Sequence, residues 1–183
     1  MHDVIPQLVD MGDTVLHELD LFFEREMPVL VLKQIINAFQ QIGTDKAMDY
    51  LLRRWDYPDY EIRREIMMAL FNNDFQAQPN QQSAVKDRLT STIDTILWLT
   101  QCSEELKEHP NTLRLLQALE EERNMAYADL FKILGFLYDK QTINNIQENL
   151  NTAENVFAIE MADNLFDEGI KEYVLPLLEG IDG

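Results

Sequence analysis

The fold is decided by the stretch Asp56-Tyr57-Pro58-Asp59-Tyr60-Glu61-Ile62-Arg63-Arg64-Glu65-Ile66-Met67-Met68-Ala69-Leu70. Pro58 fixes its own φ and an aspartate can bond its own backbone, so residues 56–59 predict a tight turn. Beyond the turn, apolar residues recur at the spacing of one helix face: Ile62, Ile66, Ala69 and Leu70. The stretch therefore predicts a turn that leads directly into an amphipathic helix.

Three further helices are predicted before this turn. Apolar residues from Ile5 to Phe22 recur at spacings of three, four or seven, which predicts one amphipathic helix capped by Asp3. A second helix is bracketed by Pro28 near its start and Gly43 past its end. Thr44 or Asp45 then caps a shorter third helix.

The residues after Leu70 continue the helical pattern. A polar stretch over 74–83 predicts a long loop, and Pro110 predicts an interruption because the residue before a proline avoids the helical region. Pro176 predicts a kink in the last helix, or its shortening. Helices are predicted near 85–106, 113–138, 142–150, 153–166 and 170–178.

An internal repeat is visible when the chain is shifted against itself by 31 residues. The shift places apolar residues on apolar residues at the helical contact positions: Val31, Gln34, Ile35, Ile36, Ala38 and Phe39 align with Ile62, Glu65, Ile66, Met67, Ala69 and Leu70. A helix hairpin of this length cannot bury its own apolar face, so stacking on a neighbour is expected.

The run from Asp56 to Leu70 resembles the short bacterial type of HEAT repeat, in which an Asp-containing turn leads into a β-branched residue, an arginine, a small residue and a leucine. The resemblance implies that Arg63 reaches back to an acidic or carbonyl group of the adjacent repeat. The preceding repeat departs from the pattern, since Leu32 stands where the arginine would align and Lys33 follows it.

We therefore expect an all-α fold, an α-α superhelix of the HEAT-like solenoid type built from antiparallel helix hairpins, with about eight to ten helices. A single HEAT-like domain is expected over residues 1–183. Its parts are N-terminal helices with two short repeats (1–73), a loop (74–83) and C-terminal helices (84–183).

The C-terminal part carries a second resemblance. Residues 130–139 (LFKILGFLYD), 158–165 (AIEMADNL) and 173–179 (YVLPLLE) are similar to the HEAT-like helices of some bacterial membrane proteins. Those proteins have a region similar to ATP/ADP carriers or to the major facilitator group. The resemblance implies a soluble cytosolic segment of a larger transporter-like or regulatory protein, at the cytosolic face of a membrane. It assigns neither transport nor cyclic-nucleotide binding to this chain.

The net charge is the strongest compositional deviation. The chain has 33 acidic and 15 basic residues, which gives −18. Such a field repels nucleic acid and anionic lipid, so neither is an expected partner. The acidic faces either simply keep the chain soluble or favour basic proteins or basic adjoining domains. Cys102 is the only cysteine, which fits a reducing compartment. We expect a cytoplasmic chain without membrane insertion, because no stretch approaches 18 uncharged apolar residues.

No catalytic, cofactor-binding or metal-binding residue is predicted, and no cofactor is implied. His2, His17 and His109 are far apart, and none forms part of a His-Glu-x-x-His or Glu-x-x-His motif. The six glycines form no phosphate-binding loop, and no serine lies in a nucleophile elbow. These patterns predict a protein that is not an enzyme.

A basic and aromatic patch is the only predicted interaction site. Its candidate residues flank a single turn: Arg53, Arg54, Trp55, Tyr57, Tyr60, Arg63 and Arg64. Arginine, tryptophan and tyrosine are enriched at binding hot spots. The alternative is structural, with Trp55 in the core and the arginines in local ion pairs.

Two functions follow. The first is a non-enzymatic module for protein interaction or domain coupling. The alternative is a small-molecule-binding or enzymatic α-helical domain with a pocket between its helices.

Overall fold

The structure is a computed structural model that describes residues 4–107, 109, 111–150 and 152–180. Every regular element in these ranges is helical, which confirms the all-α prediction. None of the described helices combines the length and the apolar character that crossing a bilayer requires. Contacts divide the chain into two compact units, residues 1–75 and 76–183.

The described residues of the first unit, 4–75, form five α-helices: α1 (Ile5–Met11), α2 (Leu16–Asp20), α3 (Val29–Ile42), α4 (Asp45–Arg53) and α5 (Tyr60–Asn72). Short 3-10 helices, Gly12–Val15 and Leu21–Glu24, follow α1 and α2. The prediction of one helix from Ile5 to Phe22 was wrong, because Gly12 takes a φ of 57° and ends α1. The predicted cap Asp3 lies outside the described residues.

Helices α3, α4 and α5 follow the predicted pattern. Pro28 and Gly43 flank α3, and Gly43 has the left-handed φ of 65° that glycine tolerates best. The Thr44 hydroxyl accepts a hydrogen bond from the Ala47 N–H and caps α4, so Asp45 is the first helical residue. The Asp59 carboxylate caps α5 in the same way through the Ile62 N–H.

The 31-residue repeat corresponds to α3 and α5, which start 31 residues apart and pack against each other. Their aligned pairs Ile35 and Ile66, Ala38 and Ala69, and Phe39 and Leu70 are all buried. Burying such side chains provides most of the stabilisation of amphipathic helices. The repeat therefore reflects two helices that share one core.

The second unit contains α6 (Gln82–Lys107), α7 (Leu113–Leu137), α8 (Lys140–Leu150), α9 (Asn155–Leu165) and α10 (Glu168–Glu179). Each helix packs against the next one along the chain. Its buried core includes Val85, Ile96, Leu130, Ile133, Leu134, Phe136, Ile146, Ala158, Ala162, Val174 and Leu178. The predicted loop over 74–83 is shorter in the structure, since α6 already begins at Gln82.

Of the two helix disruptions predicted at prolines, the structure tests only the one at Pro176. Pro110 lies outside the described residues, while its neighbour Asn111 has a φ of 68° between α6 and α7. Pro176 lies inside α10, which runs on to Glu179, so the predicted shortening was wrong. Pro176 removes one N–H donor from α10, yet the helix continues for three residues beyond it.

Helices α6 and α7 have 26 and 25 residues, about twice the length of α3 or α5. A hairpin of this size exceeds the 31-residue unit found in the first half of the chain. The HEAT-like superhelix over the whole chain stays a prediction.

Candidate functional site

The predicted basic and aromatic patch lies at the end of α4, in the turn that follows, and in the first turn of α5. Arg54 is its best-anchored member. Its guanidinium donates to both carboxylate oxygens of Asp20, at 2.7 and 2.8 Å, and to Glu24 at 3.0 Å. These hydrogen bonds outweigh partial burial and raise the pKa of Arg54 above its usual value. Arg54 thus connects the end of α4 to the segment formed by α2 and its 3-10 extension.

Arg63 bonds to backbone carbonyls, one of the two kinds of acceptor that the resemblance implied. One guanidinium nitrogen donates to the carbonyl oxygens of Tyr57 and Pro58, at 2.8 and 2.7 Å. Both acceptors belong to the turn that immediately precedes α5. Arg63 therefore satisfies the carbonyls of its own turn, which the side chain reaches because it lies one helical turn beyond Asp59.

The charged contacts between α3 and α5 come from Lys33. Its ammonium lies 2.8 Å from Glu61 and 3.6 Å from Glu65, and this raises the pKa of Lys33. In the 31-residue alignment Lys33 follows Leu32, which stands at the position of Arg63. Lys33 lies one residue beyond the position where the arginine was expected. It makes the contact because it lies on the side of α3 that packs against α5.

The other members of the patch separate into buried and exposed groups. Trp55 is 3% exposed and belongs to the core, and the half-buried Tyr57 meets Phe23 edge to face at 5.8 Å. Arg53 is exposed, pairs with Asp49 at 2.8 Å and lies 4.4 Å from the centre of the Tyr50 ring. Tyr60 is 50% exposed, and Arg64 is exposed on α5.

A hollow of about 450 Å³ lies beside this patch, lined in part by Glu24, Arg25, Arg53 and Tyr57. Charges of both signs line it, and Arg54 is already held by two carboxylates. The predicted residues are thus brought together, but the guanidinium groups of Arg53, Arg54 and Arg63 all bond within the unit.

A second surface, which we call the α9 face, lies in the second unit. It is a cleft of about 350 Å³ lined by Thr142, Phe157, Glu160, Met161, Asn164 and Leu165. Its lining is mainly apolar, and the adjacent Val156 and Phe157 are 74% and 56% exposed. The sequence shows that Val156 and Phe157 are consecutive apolar residues, but it does not show that both stay exposed.

A larger hollow, which we call the α7 cavity, measures about 630 Å³ and lies among α6, α7, α8 and α10. Polar residues from α7 line one side, including Glu120, Arg123 and Tyr127. Leu150 of α8 and Leu177 of α10 line the other. Burial raises the pKa of the Tyr127 phenol, and the nearby positive charge of Arg123 opposes that shift. Sequence reasoning missed this cavity, because its walls come from four helices.

Acidic residues in the described ranges do not converge on a metal site. No group of three or more His, Cys, Asp or Glu side chains there has the arrangement to hold an ion.

A comparison with known protein families, with curated proteins and with solved structures found no match for this chain. The resemblance to HEAT repeats and to the cytosolic helices of transporter-like proteins stays a prediction.

Proposed function

We propose that this protein is a non-enzymatic interaction or domain-coupling module whose α9 face binds a basic amphipathic helix. The observation that supports the proposal most directly is the pair Val156 and Phe157, which remain largely exposed beside an apolar cleft. Exposed apolar side chains that flank a groove are typical of surfaces that receive a partner. An amphipathic helix places an apolar stripe into such a groove and keeps its polar face in water.

The charge around the α9 face favours a basic occupant. Residues 142–150 and 152–180 contain one basic side chain, Lys171, and it already lies 3.1 Å from Asp163 and 3.4 Å from Glu168. The acidic residues of this segment are all exposed: Glu148, Glu154, Glu160, Asp163, Asp167, Glu168, Glu172 and Glu179. Such a field attracts lysine- and arginine-rich segments and repels acidic ones.

We further propose a cytoplasmic location, at the cytosolic face of a membrane if the chain is a segment of a transporter-like or regulatory protein. The single cysteine, Cys102, is half-buried and free, which suits a reducing compartment. The basic helix would then belong to a partner protein or to an adjoining domain of the same polypeptide.

A peptide titration tests the α9 face. Fluorescence anisotropy would follow a labelled amphipathic helix with leucines on one face and lysines on the other, beside a matched peptide with glutamate in place of lysine. We expect saturable binding of the basic peptide alone. Binding should weaken as salt rises from about 0.05 to 0.5 M, because exposed charges are screened over about 8–10 Å at physiological ionic strength.

Matched variants locate the site. Phe157→Ser should weaken binding about tenfold or more, as the loss of an aromatic anchor does. Leu30 of α3 is an apolar residue that is 68% exposed, somewhat more than Phe157, and Leu30→Ser should leave binding unchanged. Equal binding of the acidic peptide, or equal effects of the two variants, would contradict the proposal. Binding that is unchanged at about 1 M salt would show that apolar contacts, and not the acidic surroundings, hold the peptide.

Nucleotide binding distinguishes an interaction module from a small-molecule-binding or enzymatic domain. Titration calorimetry with ATP, ADP and cyclic AMP should show no binding, because the sequence has no phosphate-binding loop and the surface charge repels phosphates. Saturable micromolar binding of any of them would overturn the proposal that the chain is an interaction module.

A further inference from the structure

The α7 cavity changes from polar to apolar along a single stripe of α7. Glu120, Arg123, Tyr127 and Phe131 follow one another at spacings of three or four, so they share one helix face. Glu120 is exposed, Arg123 and Tyr127 are half-buried, and Phe131 is 5% exposed. The cavity thus has a charged mouth and an apolar floor.

Arg123 is the unusual member of this stripe. Within the part of the chain that the structure describes, its guanidinium forms no ion pair, although acidic residues outnumber basic ones by 33 to 15 in the sequence. Glu120, one turn away, remains in solvent and does not reach it. A half-buried guanidinium retains five N–H donors that favour a planar carboxylate.

The Tyr127 hydroxyl is a second hydrogen-bond donor in the α7 cavity, close to Arg123. The Tyr127 hydroxyl lies one helical turn beyond Arg123 and donates to the Leu177 carbonyl at 3.5 Å, a long distance for a hydrogen bond of a hydroxyl group. This hydroxyl can turn toward a closer acceptor at little cost. The buried Phe131, Leu150 and Leu177 provide an apolar surface below it.

We propose that the α7 cavity binds a small amphipathic monocarboxylate, with its carboxylate against Arg123 and Tyr127 and its apolar body against Phe131, Leu150 and Leu177. The volume of about 630 Å³ lies within the range of small-molecule sites. One guanidinium in a strongly acidic protein suits a single negative charge better than a phosphate dianion. This ligand site is independent of the α9 face and goes beyond the interaction function.

The test uses the full chain and two probes that differ only at the head group. Decanoate, kept below its micelle concentration, and 1-decanol would be titrated by calorimetry, and chemical shifts of α7 amides would locate the binding. We expect one decanoate per chain, perturbation of the residues around Arg123, and decanol binding weaker by about tenfold or more, since hydrogen bonds between charged groups are the strong ones.

Three variants decide the assignment. Arg123→Gln should weaken decanoate binding about tenfold or more and should hardly change decanol binding, while Tyr127→Phe should have a smaller effect in the same direction. Arg114→Gln removes an exposed arginine near the start of α7 and is the matched control. Circular dichroism confirms folding of each variant. The absence of saturable decanoate binding, equal binding of decanol, or equal effects of Arg123→Gln and Arg114→Gln would overturn the proposal.

Discussion

Arg54 and Arg53 are neighbours in the sequence with opposite surroundings in the structure. The Arg54 side chain is 24% exposed and its main partner Asp20 is 15% exposed, whereas Arg53 and its partner Asp49 are 58% and 41% exposed. Charge-assisted hydrogen bonds are worth more where water is excluded, and exposed ion pairs contribute little. The stabilising arginine of the first unit is therefore the one whose partners lie thirty or more residues away.

The first prediction concerns this pair of arginines. Arg54→Gln should lower the free energy of unfolding by about 1.5–3 kcal/mol, because it removes three charged hydrogen bonds and leaves Asp20 half-buried without its guanidinium. Arg53→Gln should cost less than about 1 kcal/mol. Urea denaturation of both variants gives the comparison. If both variants lose the same small amount of unfolding free energy, Arg54 is not the stabilising arginine.

The hydrogen bonds of Arg63 connect α5 to the turn that precedes it. The resemblance implied a carbonyl or acidic acceptor, and Arg63 does bond to carbonyls. The acceptors belong to its own turn, because a guanidinium in the first turn of α5 reaches the loop that enters the helix.

At the scale of the helices, Gly12 decides where α1 ends. Its φ of 57° and ψ of −138° lie in a region that only glycine adopts readily, and a Cβ built there would have no neighbour within 4 Å. The backbone conformation, and not a lack of space, is therefore what requires glycine. Gly180, with a φ of −81° and an equally open surrounding, provides a comparison.

The second prediction follows from this difference. Gly12→Ala should destabilise the protein by about 1–2 kcal/mol, since an alanine must adopt an unfavourable backbone conformation there. Gly180→Ala should change stability by less than about 0.5 kcal/mol. Thermal unfolding measures both. A stable Gly12→Ala variant with more helix would show that α1 and the following segment can join.

The third prediction concerns the aspartates that precede α8 and α10. The hydroxyl and N–H of Thr142 donate to Asp139 at 2.7 and 2.8 Å and hold its pKa below the ordinary 3.8. Burial would raise the pKa of Asp167, but Lys86 and the Ile170 N–H outweigh it and lower that pKa. A carboxyl with a lowered pKa in the folded state stabilises the protein above the pKa of the unfolded chain, and this contribution is lost as pH falls through the folded value.

The measurement compares wild type with the double variant Asp139→Asn, Asp167→Asn. The wild type should be more stable near pH 6, and the difference should shrink as pH falls below about 4, where both carboxylates take up protons. Denaturant unfolding between pH 6 and pH 3 gives the curve. A difference that stays constant down to pH 3 would mean that the two caps do not depend on charge.

At the scale of the whole molecule, the net charge of −18 acts on every part of the fold. Like charges confined to a compact surface repel one another and destabilise the folded state relative to the expanded chain. Several described ion pairs relieve this locally, including Lys33 with Glu61 and Lys86 with Asp167. These ion pairs involve only a minority of the carboxylates, and the others continue to repel one another.

The fourth prediction is therefore that salt stabilises the protein. Raising NaCl from about 0.01 to 0.15 M shortens the screening length from about 30 to 8 Å, so the unfolding temperature should rise most steeply over this range. Differential scanning calorimetry in a salt series checks it, with sucrose at matched osmolality as the uncharged control. An unfolding temperature that falls or stays constant in this range would show that favourable ion pairs outweigh the general repulsion.

Much of the fold could be read from the residues because its signals are local. The spacing of Ile62, Ile66 and Leu70 predicts a helix that the structure confirms, and so do Pro28 and Gly43 around α3. These signals depend only on backbone preferences and on the period of 3.6 residues. They could not show that Gly12 breaks the first predicted helix, because a glycine inside an apolar pattern is compatible with either outcome.

By itself the sequence determined the helical class, the strongly acidic surface and the 31-residue correspondence of α3 and α5, since each depends on composition or on spacing along the chain. Only the tertiary structure decided which arginine is anchored, which apolar side chains stay exposed on α9, and that Arg123 lines a cavity without an ion pair among the described residues. The physical reason is that partners and cavity walls come from helices far apart in the chain, so their meeting depends on packing and not on local preference.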